Sequence, residues 1–244
     1  MLVDGHDGDP LPYLDLLVER MIVQGLAQIR PGDDVVAREY GRGEAARPGR
    51  VRWVVEPISG AANLVTGMPA CAVSVAAQQD GVTLAAAVAD PASGWLWSAA
   101  RGAGAVLREP VGTEFALWPR HVDRLDQARI ATGFSGDRGV RLRQGQVAGR
   151  LLTEVRDLRT VGSTALHLCW VASGFVDGFY EHGADPASWA AGALIAEEAG
   201  AMVHAPGAPG HDHGVIGDPV FAANRGVATD LVLALRRAGA QTVL

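Results

Sequence analysis

Four apolar runs between Cys71 and Leu107 constrain this chain more than any other feature. They are CAVSVAAQQ (71–79), VTLAAAVAD (82–90), GWLWSAA (94–100) and GAVL (104–107). Gln-Asp-Gly, Asp-Pro-Ala-Ser-Gly and Arg-Gly-Ala-Gly separate them. Runs this short, with Gly, Pro and Asp between them, predict strands joined by tight turns, hence an antiparallel meander. The strand VRWVV at 51–55 precedes them. Before it, residues 11–29 carry apolar side chains at helical spacing (Leu14, Leu17, Val18, Met21, Ile22, Leu26), and Arg-Pro-Gly-Asp at 30–33 stops that helix. REYGRGEAARPGR (38–50) reads as a Gly- and Arg-rich loop.

Beyond residue 125 the pattern alternates. ARIATG, DLRTV, FVDGFYE and VFAAN read as strands. Residues 138–154, STALHLCWVASG, PASWAAGALIAEEAG and residues 226–239 read as helices. Alternation of this kind predicts an α/β second half. The division therefore falls into 1–125 and 126–244, with no linker between them, so the halves should pack as one unit. The 244 residues, 48% hydrophobic and 20% charged, suffice for a large core.

Composition excludes several chemistries. All 21 basic residues are Arg, so neither a Schiff-base lysine nor a P-loop lysine is available. Net charge is −6, and no basic run interleaves with aromatics, which argues against nucleic acid as a partner. No apolar run is long enough to span a membrane, and MLVDGHDGDP does not read as a signal peptide. A soluble cytoplasmic protein is the expectation. Cys71 and Cys169 sit in apolar runs and read as buried free thiols.

The stretch WVVEPISGAANLV (53–65) runs from strand through Pro and Gly into a helix start. With it, Glu56-Pro57-Ile58-Ser59-Gly60-Ala61-Ala62-Asn63-Leu64 resembles the inositol monophosphatase family signature Asp-Pro-Ile/Leu-Asp-Gly-Thr-x-Asn-Phe. Ala187-Ser188-Trp189-Ala190-Ala191-Gly192, continuing to Glu197-Glu198-Ala199-Gly200, resembles its later Trp-Asp-x-Ala-Ala-Gly signature. ADPASGWLWSAARGAGA and LRTVGSTALHLCWVASGFVDGFYE also follow the family's pattern. The resemblance spans nearly the whole chain. It implies a layered α-β-α-β-α sandwich, α+β in its first half and α/β in its second. Met1 precedes Asp15 by too few residues for the long helix with which family members begin. An apolar face left open on the 11–29 helix favours a partner, and a homodimer is the expectation.

The family holds Mg²⁺ on a cluster of carboxylates, and the metals clamp a phosphate and activate water. Carried over residue by residue, the resemblance shows an altered centre. Glu39 matches the loop glutamate, and Tyr40 replaces its neighbour. Glu56 stands for the first Asp, Ser59 for the second, and Ser188 for the Asp of the later signature. Ala61 replaces the Thr that orients water, while its Asp partner survives as Asp15. Glu39, Glu56 and the Ile58 carbonyl can still form one weak metal site. The second site would need Glu56 together with the two positions that are now Ser59 and Ser188, whose hydroxyls carry no charge, and is expected to be lost. The expected cofactor is therefore none, or weakly bound Mg²⁺.

Other features persist. Gly60 and Ala61 present backbone N–H groups at a helix start. Glu181 matches a glutamate that contacts substrate hydroxyls, and Gly162-Ser163-Thr164 matches a segment at the substrate site. Ser59, Gly60, Ala61, Gly162, Ser163, Thr164, Glu181 and Ser188 are thus candidate ligand contacts. Asp15, Glu39, Glu56, Glu181, His182 and Asp185 are candidate catalytic groups for acid/base work. His167, on an apolar helix, reads as structural, and His211-Asp212-His213 reads as a polar turn. Three functions stay open. One is a family member that has lost Mg²⁺-dependent hydrolysis and keeps a phosphate- or polyol-type pocket, re-used for metal-independent acid/base chemistry in a biosynthetic pathway. Another is a weak one-metal phosphatase, and the third a non-catalytic scaffold or regulatory partner.

Overall fold

The structure is a computed structural model that describes residues 11–37, 48–206 and 219–240. It forms five layers. Helix α1 (Leu11–Ile29) packs on one side of one face of a seven-stranded sheet, and the short α2 (Ala61–Thr66) lies against α1. Helices α4 (Thr164–Ala172) and α5 (Pro186–Glu198) fill the middle. A five-stranded sheet follows, and α3 (Arg138–Leu151) and α6 (Ala228–Ala238) close the far side.

The first sheet has the order β1-β2-β3-β4-β5-β6-β7. The strands are β1 (Asp34–Val36), β2 (Val51–Ser59), β3 (Ala72–Gln79), β4 (Val82–Asp90), β5 (Trp95–Ala100), β6 (Gly104–Arg108) and β7 (Glu114–Ala116). From β2 onward every neighbour is antiparallel, as the meander requires, while β1 joins β2 in parallel. The second sheet has the order β11-β12-β10-β8-β9, from β8 (Arg129–Thr132), β9 (Asp157–Arg159), β10 (Gly178–Glu181), β11 (Met202–His204) and β12 (Val220–Ala223). Here β8 runs parallel to β9 and β10, and β12 is antiparallel to both its neighbours.

Several boundaries differ from the sequence expectation for physical reasons. The strand expected over 175–181 begins only at Gly178. Asp177 is instead fully buried, accepts from the Arg129 backbone N–H at 2.8 Å, and faces the Arg120 and Arg129 guanidiniums at 3.3 and 3.5 Å. Helix α3 stops at Leu151, three residues short of expectation, and turns through Thr153 to Val155 follow it. Of the four three-residue strands, β1, β7 and β11 carry no mark in the sequence, being too short for alternation to show.

The core lies around α4 and α5. Eight of the nine residues of α4 are buried, as are Ala190 to Ala196 of α5. The two helices cross closely because Gly192 has no side chain: a Cβ there would lie 2.7 Å from the Leu168 Cβ. Trp97, fully buried in β5, donates from its indole to the Ser173 hydroxyl at 2.8 Å and so fastens the meander to the end of α4. Both cysteines are buried and unpaired. Among the described residues no helix is long and apolar enough to cross a membrane.

Candidate functional site

The site is built where β2 ends, α4 begins, β10 ends and α5 begins. Pro57 cannot donate to a sheet ladder, and the register of β2 against β3 shifts between Glu56 and Ser59. The bulge delivers the chain to Ser59, and then to Gly60 at φ +91°. That left-handed turn suits glycine, and space demands it too. A Cβ on Gly60 would stand 2.6 Å from the Ala70 carbonyl oxygen and 3.2 Å from the Ser163 Cβ. Helix α2 follows, and Gly67 in a left-handed conformation ends it.

Asn63 ties this turn to the other half. Its side-chain amide donates to the Ala70 carbonyl at 2.7 Å and to the Val161 carbonyl. The N–H of Val161 donates in turn to Nε2 of His167 at 3.1 Å. Val161 is thus held through both its N–H and its carbonyl. His167 is fully buried, and desolvation lowers its pKa to about 4, which keeps the ring neutral and able to accept that bond. It is a structural histidine, as its apolar helix implied.

The two serines that stand where the sequence pattern called for carboxylates are engaged within the chain. Ser59 is buried, and its Oγ lies 2.9 Å from the Oγ of Ser163. It also receives the Ala165 N–H at 3.4 Å. Ser163 caps α4, accepting from the Leu166 N–H at 3.3 Å. Ser188 donates from its hydroxyl to the Asp185 carbonyl at 2.7 Å. Asp185 is the N-cap of α5, with its carboxylate on the Ala187 N–H at 2.8 Å.

Glu181 closes the far wall. Thr164 donates from its hydroxyl to Glu181 Oε2 at 2.9 Å. Burial raises the Glu181 pKa above the ordinary carboxylate value, and the Thr164 bond offsets part of that rise. The carboxyl lies flat over Gly133: a Cβ there would meet Cδ and Oε2 at 2.4 Å and Oε1 at 2.6 Å. His182 is buried, with its ring edge-on to Tyr180 at 6.0 Å and its carbonyl accepting from Gln144 at 3.1 Å.

The structure therefore brings Ser59, Gly60, Gly162, Ser163, Thr164 and Glu181 to one corner. Ala61 opens α2 beside it, and Ser188 and Asp185 lie on the first turn of α5. Glu56, partly buried, sits opposite Ser74 one step before the bulge, with Ile58 buried beyond it. Asp15 lies partly buried on α1, which packs on β2. Glu39, Tyr40, His211 and His213 lie outside the described residues. Among the described residues no three His, Cys, Asp or Glu side chains are grouped to hold a metal ion. Sequence reasoning missed Gly133, which no motif marks, and gave no role to Asn63, although the signature contains it.

A separate cleft of about 320 Å³, lined by Arg129, Arg159, Trp170, Phe175 and Val176, opens at the opposite ends of β8 and α4. It is not part of this corner.

Comparison with known proteins agrees with the geometry. The model of the inositol monophosphatase family matches residues 3–240. "Inositol-1-monophosphatase SuhB" of Mycobacterium tuberculosis is 44% identical over 235 residues, covering 94% of this chain and 79% of that protein. "Nus factor SuhB" of Escherichia coli is 34% identical over 196 residues, covering 80% and 71%. The solved structure of Mycobacterium tuberculosis SuhB superposes with a TM-score of 0.82 at 42% identity, covering 95% of this chain and 87% of that one. Sequence, architecture and the strand–turn–helix at residues 53–65 together place this chain in the inositol monophosphatase family.

Proposed function

We propose that this family member has lost ordinary Mg²⁺-dependent phosphate ester hydrolysis and keeps a site for a phosphorylated or polyhydroxylated small molecule. The observation that carries this reading is the buried Ser59–Ser163 hydroxyl pair at 2.9 Å. Mg²⁺ takes hard oxygen ligands in octahedral geometry, and two adjacent cations require anionic ligands to offset their charge. At two of the positions concerned this chain offers neutral hydroxyls already bonded to Ser163 and to the Asp185 carbonyl. That donor set does not fit a two-metal centre, and no step is derived through one. Glu181, whose proton affinity burial raises, is the group best suited to metal-independent acid/base work. Asp185 serves as a helix cap and His182 is enclosed, so neither is placed beside it as a second acid or base in this reading.

The competing reading is a single weakly held Mg²⁺ at Glu39, Glu56 and the Ile58 carbonyl. A phosphate-release assay on inositol 1-phosphate over a Mg²⁺ series separates the two. The proposal expects no Mg²⁺-dependent turnover while the chain remains folded; a rate that saturates with Mg²⁺ sinks it.

The reading includes a cytoplasmic homodimer. Tyr13, Leu17 and Met21 form an exposed stripe on α1, and Leu64, Val65 and Met68 are exposed at α2, which α1 touches. Sedimentation of the full chain tests this. The Nus-factor name of the Escherichia coli relative belongs to that protein, and the net charge of −6 supports no nucleic-acid role for this one.

A further inference from the structure

The cleft of about 320 Å³ at the ends of β8 and α4, away from the Ser59–Glu181 corner, offers nitrogen donors and aromatic rings. Arg129 opens β8 and Arg159 ends β9, and their side chains stand at the cleft 31% and 54% exposed. Trp170, near the end of α4, and Phe175 and Val176, in the turn after it, form an apolar wall. That wall is braced from behind. Val176 is buried, Phe175 rests on Trp95 with ring centroids 5.8 Å apart, and Trp170 meets the buried His167 edge-on at 6.0 Å.

Two carbonyls of the lining are already occupied. That of Arg129 accepts from the Asp177 N–H at 2.8 Å, and that of Trp170 from the Phe175 and Val176 N–H groups at 2.9 and 3.4 Å. The donors are not. Among the described residues the Arg129 side chain makes no hydrogen bond, its Nε facing the Asp177 carboxylate at 3.5 Å without one. The Trp170 indole N–H is likewise unspent among the described residues. Charge points the same way. The guanidiniums of Arg120, Arg129 and Arg159 are paired with two carboxylates, Asp177 and Asp157, so one positive charge is left over.

We propose that this cleft binds a single-ring aromatic anion, an aryl carboxylate or aryl phosphate, with its ring against Trp170 and Phe175 and its acid group on Arg129 and Arg159. A carboxylate or phosphate takes paired N–H bonds from a guanidinium fork, and a planar ring stacks on an aromatic side chain and on a guanidinium alike. A neutral polyol needs acceptors for its hydroxyl protons, and those carbonyls are filled. A cation meets the surplus positive charge. An aliphatic acid satisfies the guanidiniums but forgoes the stacking. The volume lies at the low end of the range of about 300–1,000 Å³ usual for small-molecule sites, which suits one ring with a short acid arm.

The test is calorimetric titration of the full chain in EDTA with 4-hydroxyphenylacetate and phenyl phosphate. Matched controls are 4-hydroxyphenylacetamide, which lacks the charge, and cyclohexylacetate, which lacks the aromatic ring. At least one aromatic anion should bind, and whether the carboxylate or the phosphate binds tighter identifies the acid group. Each control should be weaker by about tenfold or more. Arg159→Gln should weaken the aromatic anion by about tenfold, and Arg159→Lys, which keeps the charge without the fork, should retain part of the binding. Trp170→Leu should weaken it as well, with thermal melts confirming that all three variants are folded. The inference is overturned if neither aromatic anion binds, if either control binds as tightly, or if Arg159→Gln binds like the parent. It is also overturned if sedimentation shows a dimer that Arg159→Gln dissociates, because a second copy of the chain then fills the cleft. Neither Mg²⁺ nor Glu181 takes part, so the outcome is separate from the turnover assay.

Discussion

Gly133→Ala should dislodge Glu181 without removing it. The new Cβ would stand 2.4 Å from Cδ and Oε2, whereas ordinary contact begins at 3.4 Å, so the carboxyl must retreat by about 1 Å. Retreat of that size breaks the 2.9 Å bond from Thr164. Losing such a bond costs about 0.5–1.5 kcal/mol, and stranding the nearly buried Thr164 hydroxyl about 1–3 kcal/mol if nothing replaces its partner. Gly133 does not hold a left-handed conformation, so Ala brings no backbone strain and stabilises by roughly 0.4–1 kcal/mol through the unfolded chain. Taken at the middle of these ranges, the net is about 2 kcal/mol of destabilisation, or roughly 4–8 °C in Tm for a chain of this size.

The pH dependence sharpens the prediction. The Glu181 pKa is raised in the folded state, so its contribution to stability is fully present below the ordinary value of 4.5 and is lost as pH rises through the folded value. In Gly133→Ala the carboxyl moves toward water and that loss shrinks. The gap in Tm between parent and variant should therefore be widest near pH 4 and should narrow as pH rises. Melts followed by near-UV circular dichroism from pH 4 to 8 read this directly, with Glu181→Gln as the non-titrating comparison. A gap that is absent, or that widens with pH, would falsify the assignment of Glu181 to this floor.

Three further outcomes can be checked with the same equipment. Asn63→Ala strands the Ala70 and Val161 carbonyls and should cost about 2–3 kcal/mol, seen as a lower urea midpoint at unchanged slope. Asp177→Asn leaves two guanidiniums without their shared, fully buried carboxylate and should cost on the order of 3 kcal/mol in the same urea experiment. His167 titrates near 4 when folded against 6.5 unfolded, so its contribution is present above pH 6.5 and is lost as pH falls toward 4. The loss totals on the order of 3 kcal/mol, and His167→Gln should flatten that part of the stability profile.

The sequence made some features legible and hid others, and the difference is physical. The meander showed because each strand alternates or runs apolar between turn residues. Helix α5 showed no face because it has none: Ala190 to Ala196 are buried on every side, and only its length and flanking signals mark it. Ser59 and Ser188 were visible as departures from a pattern, but the hydroxyl partner of Ser59 lies 104 residues away and no local rule reaches it. Gly133 was invisible for a different reason. Its role is to have no side chain where Glu181 lies, and a glycine needed for room looks like any other glycine in a loop.

The placement of α5 bears on how fast a ligand can come and go. Its first turn carries Asp185 and Ser188, while its body packs against both sheets at once. A helix anchored in the largest core among the described residues is a fixed element, so α5 itself takes no part in a closing motion. Association should then be a single-step encounter whose observed rate rises linearly with ligand concentration, without the plateau that a closing motion imposes.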